Sequence, residues 1–239
     1  MSALSLEVED VAVHYGGVKA VDGVSISIPP GEVRGLIGPN GAGKSTIIDA
    51  ITGRRPPTRG RVRLRGEDVT ALGALERRRR GLSRSFQRTS IFHGMKVGAQ
   101  VELASWKIGA DKPEADAREV LRQLDLLDMA QVTASDLGYG EQRRLDLALA
   151  LVGQPSLLLL DEPMAGLSAQ ESEDLAHHLK VLTGRREVSI LLVEHDMDVV
   201  FGISNAVTVM ELGRVIASGA PAEVRAHPRV REAYLGSAA

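Results

Sequence analysis

The chain has 239 residues, of which 44% are hydrophobic and 25% are charged, and its formal net charge is −2 at pH 7. This composition suits an ordinary globular protein with one large domain, and the charge balance gives no sign of a nucleic-acid partner. The sequence has no cysteine, which excludes disulfides and thiolate metal sites. We expect neither a signal peptide nor a membrane-spanning helix, so action at a membrane would require docking to a protein that spans it.

The first third of the chain carries the patterns of short strands around one helix. Apolar and polar residues alternate over 4–13 and again over 24–28, and a Pro-Pro-Gly sequence then breaks the chain. The predicted elements that follow are an apolar strand over 33–38, a helix over 44–51 and a half-exposed strand over 60–66.

The sequence GPNGAGKST, residues 38–46, fits the pattern G-x-x-x-x-G-K-[ST] of phosphate-binding loops. A predicted strand precedes it and a predicted helix follows it, which disfavours a chance glycine-rich turn. The glycines allow backbone N–H groups to converge on phosphate oxygens. Lys44 is expected to place a positive charge at the β and γ phosphates, and Ser45 to offer its hydroxyl to Mg²⁺. The residues assigned to nucleotide binding in this loop are Gly38, Pro39, Asn40, Gly41, Ala42, Gly43, Lys44, Ser45 and Thr46.

The middle of the chain changes character and predicts helices. Residues 114–130 have a helical period that places Val120, Leu121 and Leu124 on one face, together with Leu127. Residues 136–150, DLGYGEQRRLDLALA, then join a glycine-bearing loop to an apolar-periodic stretch. Because helix starts bind anions, the chain carries two predicted anion-binding helix starts.

Strand signals return over 156–163, 188–196 and 206–219. The apolar runs before Asp161 and Glu194 are continuous, as in strands that are buried on both faces of a parallel sheet. Alternation of such strands with helices predicts an α/β fold.

Two acids, Asp161 and Glu162, end the strand LLLLDEP at the sheet edge where α/β folds bind ligands. Asp161 is expected to hold Mg²⁺ through water, and Glu162 to act as the general base that polarises the attacking water. An isolated acid pair of this kind would cap the next turn just as readily. The phosphate loop favours the catalytic interpretation.

These motifs, in this order, resemble those of the ATP-binding subunit of ABC transporters, and the resemblance covers essentially the whole chain. It implies one domain over 1–239 with a P-loop NTPase core, a mainly parallel sheet and an N-terminal antiparallel β part. The core would comprise about residues 1–87 and 142–220, an inserted helical subdomain about 88–141, and a C-terminal tail 221–239.

The resemblance also assigns roles to isolated residues whose ordinary interpretation would be structural. Tyr15 corresponds to the aromatic residue that stacks on adenine, and Val18 joins it in the ATP site. Gln87, in SRSFQRT, corresponds to the glutamine that contacts Mg²⁺ and the attacking water and links ATP to the membrane partner. His195, in LVEHD, corresponds to the switch histidine at the γ-phosphate. The implied cofactors are ATP and Mg²⁺, with Glu162, His195 and Gln87 as catalytic residues and Ser45, Gln87 and Asp161 at the metal.

The second helix start is explained by the family's arrangement, in which two subunits pack head to tail around the nucleotide. The residues expected to contact ATP of the other subunit are Gly138, Tyr139, Gly140 and Glu141. The common signature has serine where this chain has Gly138, so backbone amides must carry the contact. Ser168 stands where the family usually has Asp or Asn, and it accepts fewer hydrogen bonds than a carboxylate.

Four stretches resemble the subgroup that energises uptake of branched-chain amino acids and the related urea and short-amide importers: 81–92, 137–148, 192–201 and 227–236. The implied partners are a second ATP-binding subunit, identical or related, two membrane permease subunits and, indirectly, a solute-binding protein, with no nucleic acid. The chain would then sit at the cytoplasmic face of the inner or plasma membrane through the permease.

Three alternatives remain open. The helical segment is short for the importer subgroup, which leaves room for the ATPase of lipopolysaccharide export, whose tail is similar. A soluble ABC ATPase acting on nucleic acid or cofactor assembly is disfavoured because inserted coiled coils and a second fused ATPase half are missing. A nucleotide-binding regulator without turnover is disfavoured by the complete set of catalytic positions.

Two further features have competing interpretations. The run ERRRR, residues 76–80, predicts a solvated helix face rather than a surface for anionic lipid. Trp106 either lines the groove that receives a permease or packs inside the protein.

Overall fold

The computed structural model describes residues 3–85, 90–186 and 188–235. Its strands are β1 (Leu6–Tyr15), β2 (Val18–Ile28), β3 (Val33–Ile37), β4 (Arg59–Leu64), β5 (Glu67–Asp68), β6 (Leu82–Arg84), β7 (Leu157–Asp161), β8 (Ser189–Val193), β9 (Ala206–Glu211) and β10 (Arg214–Gly219). Its helices are α1 (Lys44–Ile51), α2 (Ala74–Arg79), α3 (Val97–Lys107), α4 (Pro113–Gln123), α5 (Tyr139–Leu151), α6 (Ala169–Arg186), α7 (Met197–Ile203), α8 (Pro221–Ala226) and α9 (Pro228–Leu235).

The strands form two sheets, as the α/β prediction with an antiparallel N-terminal part requires. A four-stranded antiparallel sheet has the order β2-β1-β4-β5. A six-stranded sheet has the order β10-β9-β3-β8-β7-β6, and all its neighbouring strands are parallel except β9 and β10. The carboxyl ends of β3, β7 and β8 therefore meet at one edge, where the phosphate loop, Glu162 and Glu194 follow.

The continuous apolar runs of β7 and β8 are explained by cores on both faces of the six-stranded sheet. Leu157, Leu159 and Leu191 pack against α1 and the antiparallel sheet. Leu158 and Leu192, one residue further along each strand, pack against the helical side of the molecule. Because successive strand side chains point to opposite faces, a strand between two cores must be apolar at every position.

The helical region differs from its prediction at one point. The face predicted for residues 114–130 is buried at Val120, Leu121 and Leu124. However, α4 ends at Gln123 and a single 3₁₀ turn follows it. The prediction of one helix over residues 114–130 was therefore wrong. The break lies at Asp125, whose φ of 52° is left-handed and incompatible with a continuing helix.

The stretch 206–219, predicted as strand, is a hairpin. Its turn lies at Leu212 and Gly213, both with positive φ. The N–H of Gly213 donates to Ala42 O at 2.9 Å, and its carbonyl accepts from Asp22 N–H at 2.9 Å. The hairpin therefore fastens the phosphate loop to the antiparallel sheet.

The arginine run departs from the prediction of a solvated face. Arg77 is fully buried, with 0% of its surface exposed, and it donates to backbone carbonyls. Arg78 donates to Val152 O at 2.7 Å, whereas Arg79 and Arg80 form surface ion pairs with Glu76, and Arg80 also with Glu67. Trp106 is 64% exposed, so the interpretation of this residue as internal packing was also wrong. None of the helices in the described part of the chain has the length and apolar character needed to cross a bilayer.

Candidate functional site

An open cavity of about 520 Å³ lies at the carboxyl edge of the parallel strands. The phosphate loop and the first turn of α1 form its floor, and Asp161, Glu162 and His195 form one side. Val18 and Leu212 add apolar side chains to its lining. The structure thus brings together residues as far apart in the sequence as Val18 and His195, as the motifs predicted, although Gly38 and Pro39 of the predicted set do not line the cavity.

The phosphate loop takes the shape that its glycines allow. Gly41 and Gly43 have φ of 80° and 99°, in the left-handed region that favours glycine. At Gly43, the residue before α1, a Cβ would lie 2.6 Å from Ala20 O, so no other residue fits without displacing β2. The helix then begins at Lys44 and ends at Ile51, as predicted.

Lys44 places a buried positive charge at the floor of the cavity. Its side chain is only 8% exposed, and Nζ donates to the carbonyls of Gly38 and Pro39. Burial lowers the pKa of Lys44, while the negative charges of Glu162 and Asp161 oppose that shift. A cation held this way, next to the free N–H groups of a helix start, attracts an anion.

Asp161 is oriented by a residue that the sequence analysis missed. Arg84, on the neighbouring strand β6, donates from Nη2 to Asp161 Oδ2 at 2.9 Å and from Nη1 to Asp49 Oδ1 at 3.1 Å. It thereby joins the end of β7 to α1. Its place three residues before Gln87 was the available signal. Gln87 itself lies outside the described residues.

Glu162 and His195 meet across the edge of the cavity. Nε2 of His195 lies 2.6 Å from Oε1 of Glu162, and the imidazole is about half exposed. The backbone of Glu162 has a φ of 51°, which is uncommon for a residue with a side chain. Its N–H donates to Val193 O at 2.8 Å, so the turn after β7 is fixed to the end of β8.

A second residue that the sequence analysis missed lies directly behind this pair. Glu194 is only 5% exposed, and its carboxylate accepts from the N–H groups of Met164 and His195. Burial raises the pKa of Glu194, with the nearby charge of Glu162 acting in the same direction, while the two backbone N–H groups oppose the shift. Sequence alone marked this residue only as the end of a strand.

Tyr15 and Val18 differ in their relation to the cavity. Val18 lines it, and its side chain is largely exposed. Tyr15 ends β1 next to the cavity lining rather than within it, and the guanidinium of Arg55 lies 4.4 Å from the centre of its ring. One face of the Tyr15 ring is therefore covered by Arg55.

The second predicted anion site, at the start of α5, does not line this cavity. The hydroxyl of Tyr139 donates to Ala165 O at 3.1 Å, which ties the start of α5 to the turn after Glu162. The N–H of Gly138 donates to Oε2 of Glu141 at 2.8 Å, as in a capping box. At Gly140 a Cβ would lie 2.5 Å from Oε1 of Glu171, so this glycine permits a close approach of α6.

Hydrogen bonds at the start of α6 explain why serine suits position 168. Its N–H and Oγ both donate to Oε2 of Glu171, at 2.8 and 2.7 Å, and its Oγ accepts from Glu171 N–H at 3.3 Å. This reciprocal pair is a capping box at the start of α6. The same Glu171 carboxylate approaches Gly140, so its pKa is lowered by hydrogen bonds from both loops, chiefly from Ser168.

Comparison with known proteins agrees with this geometry. The family model described as ABC transporter matches residues 21–165, and a model described as branched-chain amino acid ATP-binding cassette transporter matches residues 214–239. The high-affinity branched-chain amino acid transport ATP-binding proteins BraF of Pseudomonas aeruginosa and LivG of Escherichia coli are each 36% identical to the chain, with both chains covered completely. LivG of Salmonella typhimurium is 38% identical over the same extent.

The fold has equally complete counterparts among solved structures. A crystal structure of the ADP conformation of an ATP-binding cassette of an ABC transporter superposes with a TM-score of 0.89 at 30% identity, covering 99% of both chains. A nucleotide-free ATP-binding cassette from an ABC transporter superposes with a TM-score of 0.87 at 30% identity.

Proposed function

This chain belongs to the ABC transporter family and is an ATPase, and from that premise we propose that it energises the uptake of branched-chain amino acids through a membrane permease. The observation that carries the proposal is the agreement of two comparisons. Full-length relatives are named for this transport, and the C-terminal residues 214–239 fit the model specific to branched-chain amino acid cassettes. None of the relatives reported above is named for lipopolysaccharide export or for work on nucleic acid.

The residues that line the cavity support binding of a magnesium-bound triphosphate. Residues 41–46, which include Lys44, line the part of the cavity where we place the phosphates, and Val18 lines the part where we place the nucleoside. Ser45 and Asp161 offer a hydroxyl and a carboxylate, which are ligands that Mg²⁺ prefers, and Gln87 completes the predicted set. When bound, Mg²⁺ neutralises charge that develops on the transferred phosphoryl group.

Glu162 is the proposed general base. Its carboxylate lies at the cavity edge, where it can accept a proton from a water aligned with the γ-phosphate. The 2.6 Å contact with His195 holds the carboxylate in place, and about half of the imidazole surface stays exposed. Hydrolysis therefore requires the side chain of Glu162, the orientation supplied by His195 and the charge of Lys44.

We place the second anion site on the nucleotide of another subunit. The start of α5 does not line its own chain's cavity, yet Tyr139 is hydrogen-bonded to Ala165 in the turn that follows Glu162, and Gly140 lies against the Glu171 side chain of α6. A second ATP-binding subunit, identical or related, would bring its own α5 to the open side of the cavity. Hydrolysis would then release a contact that exists only while ATP is bound.

The remaining partners follow from the transport role. Two permease subunits would span the membrane and a solute-binding protein would deliver the amino acid, with this chain at the cytoplasmic face. The exposed Trp106 on α3 is the proposed permease-facing residue of the helical subdomain, about residues 88–141.

The test is uptake by the organism that encodes the chain. Deletion of the gene should lower uptake of labelled leucine, isoleucine and valine, and the wild-type gene should restore it. A gene carrying Lys44→Ala should not restore uptake, because the phosphate site loses its charge. If the deletion strain takes up all three amino acids as before but loses uptake of another solute, the proposed substrate class is wrong, and the class of that solute takes its place.

A further inference from the structure

A buried carboxylate stands behind the two residues that the proposed function places nearest the attacking water. Glu194 follows β8 and directly precedes His195, and it is 5% exposed. It does not line the cavity, so it has no direct access to nucleotide. Burying a carboxylate costs free energy, so the hydrogen-bond partners of Glu194 indicate its role.

Both oxygens of Glu194 are used by backbone N–H groups of the catalytic segment. Oε1 accepts from Met164 N–H at 2.7 Å, and Oε2 accepts from His195 N–H at 3.2 Å. Met164 belongs to the turn after Glu162, in which Ala165 N–H donates to Glu162 O at 3.2 Å. One side chain therefore joins the backbone of the Glu162 turn to the backbone of His195.

The Glu162 turn needs such support. A φ of 51° is unfavourable for a residue with a Cβ, and such conformations persist only where neighbouring structure holds them. On the N-terminal side, Glu162 N–H is fixed by Val193 O at 2.8 Å. On the C-terminal side, the bond from Met164 N–H to Glu194 closes the turn. The strained residue is thus fixed on both sides, by a strand end and by Glu194.

We propose that Glu194 is a positioning residue for ATP hydrolysis, which keeps Glu162 and His195 within hydrogen-bond distance by holding the backbone of both. The proposal rests on the proposed roles of Glu162 and His195 and adds a residue that acts through them. Loss of Glu194 should leave the phosphate loop untouched, because its carboxylate bonds to the N–H groups of Met164 and His195 and not to residues 38–46 in the part of the chain that the structure describes. The rate of ATP hydrolysis should fall, while the affinity for nucleotide is retained.

The first test is amide hydrogen exchange measured by NMR on the nucleotide-free chain. In Glu194→Ala we expect exchange at Met164 and His195 to rise at least about tenfold, since both amides lose their acceptor. In Glu194→Gln the remaining side-chain oxygen still accepts from Met164, so protection at Met164 should be largely retained. Glu32→Ala is the matched control, because Glu32 is another largely buried carboxylate and pairs with Arg34.

The second test separates kcat from KM. Glu194→Ala should lower kcat on the order of 10²-fold, the loss expected when a catalytic group is displaced by about 1 Å. KM for ATP should stay within about twofold, and Glu194→Gln should lose only about tenfold in kcat, as for one hydrogen bond. Glu32→Ala should keep wild-type kcat. If Glu194→Ala does not fold, the amide exchange and kcat of Glu194→Gln test the proposal in its place.

Wild-type protection at Met164 in Glu194→Ala, or wild-type kcat in that variant, would overturn the proposal. Because Glu194 acts through Glu162, the double variant Glu162→Gln/Glu194→Ala should be no slower than Glu162→Gln alone, and a further loss comparable to that of the single variant would also overturn it. Failure of the proposed function gives a different result. In that case Glu162→Gln itself would keep wild-type turnover, whatever the exchange at Met164.

Discussion

Arg77 offers a prediction about how the phosphate-binding helix is held. Its buried guanidinium donates from Nη1 to the carbonyls of Ala50 and Ile51, both at 2.7 Å, at the end of α1. It also donates from Nε to Leu72 O and from Nη2 to Thr70 O, both at 2.9 Å. A positive charge at a helix C-terminus also complements the helix dipole. We therefore expect Arg77→Met to loosen the end of the helix whose first residues face the phosphates.

The magnitude follows from these contacts. Four hydrogen bonds from a charged donor are worth about 6–12 kcal/mol in total, since each contributes about 1.5–3 kcal/mol. Burial lowers the pKa of Arg77 to about 10, which corresponds to about 3 kcal/mol of lost hydration that the substitution would recover. Ala50 O keeps a second donor, the N–H of Gly53, at 3.4 Å. The difference is about 3–9 kcal/mol, and we expect a net loss in its lower part, about 3–5 kcal/mol, because the loss at Ala50 O is partly offset.

The measurement is the melting temperature of the nucleotide-free chain by calorimetry. For a chain of this size, a loss of 3–5 kcal/mol lowers Tm on the order of 10 °C. Arg79→Met is the control, because Arg79 is exposed and pairs only at the surface with Glu76, so its loss should stay within about 0.5 kcal/mol. A Tm for Arg77→Met equal to that of the control would refute this account of the arginine run.

Two further changes test the cavity and the second anion site. Arg84→Met removes the residue that orients Asp161. The Mg²⁺ concentration needed for binding a fluorescent ATP analogue should therefore rise about tenfold. An unchanged midpoint of the Mg²⁺ titration would contradict that role of Arg84. Gly140→Ala places a Cβ 2.5 Å from Glu171 Oε1 and should lower steady-state ATP turnover at least about tenfold without changing the affinity of the single chain for nucleotide. Gly184→Ala, where a Cβ meets open space, is the control for this substitution, and equal turnover in the two variants would argue against the role of the α5 start.

The sequence was sufficient where structure and chemistry follow from neighbouring residues. The pattern of residues 38–46 depends on local backbone freedom, so it predicted both the loop and the helix that begins at Lys44. The apolar runs ending at Asp161 and Val193 predicted central parallel strands, because only burial on both faces requires an apolar residue at every position.

The sequence was insufficient where a side chain finds its partner across the fold. Arg77 lies in the same run of arginines as the exposed Arg79, and only its hydrogen bonds to the end of α1 show why it is buried. Arg84 and Glu194 were missed for a related reason, since their partners lie on adjacent strands or turns. The break at Asp125 lies within an unbroken helical period, so periodicity alone extended α4 too far.

The most direct test of the account is phosphate release by Glu162→Gln compared with the wild-type chain under conditions that support turnover. Because Gln cannot accept the proton of the attacking water, turnover should fall by a factor on the order of 10²–10⁴ while ATP affinity is retained. Wild-type turnover in this variant would show that the carboxylate beside His195 is not the base and that water is activated elsewhere.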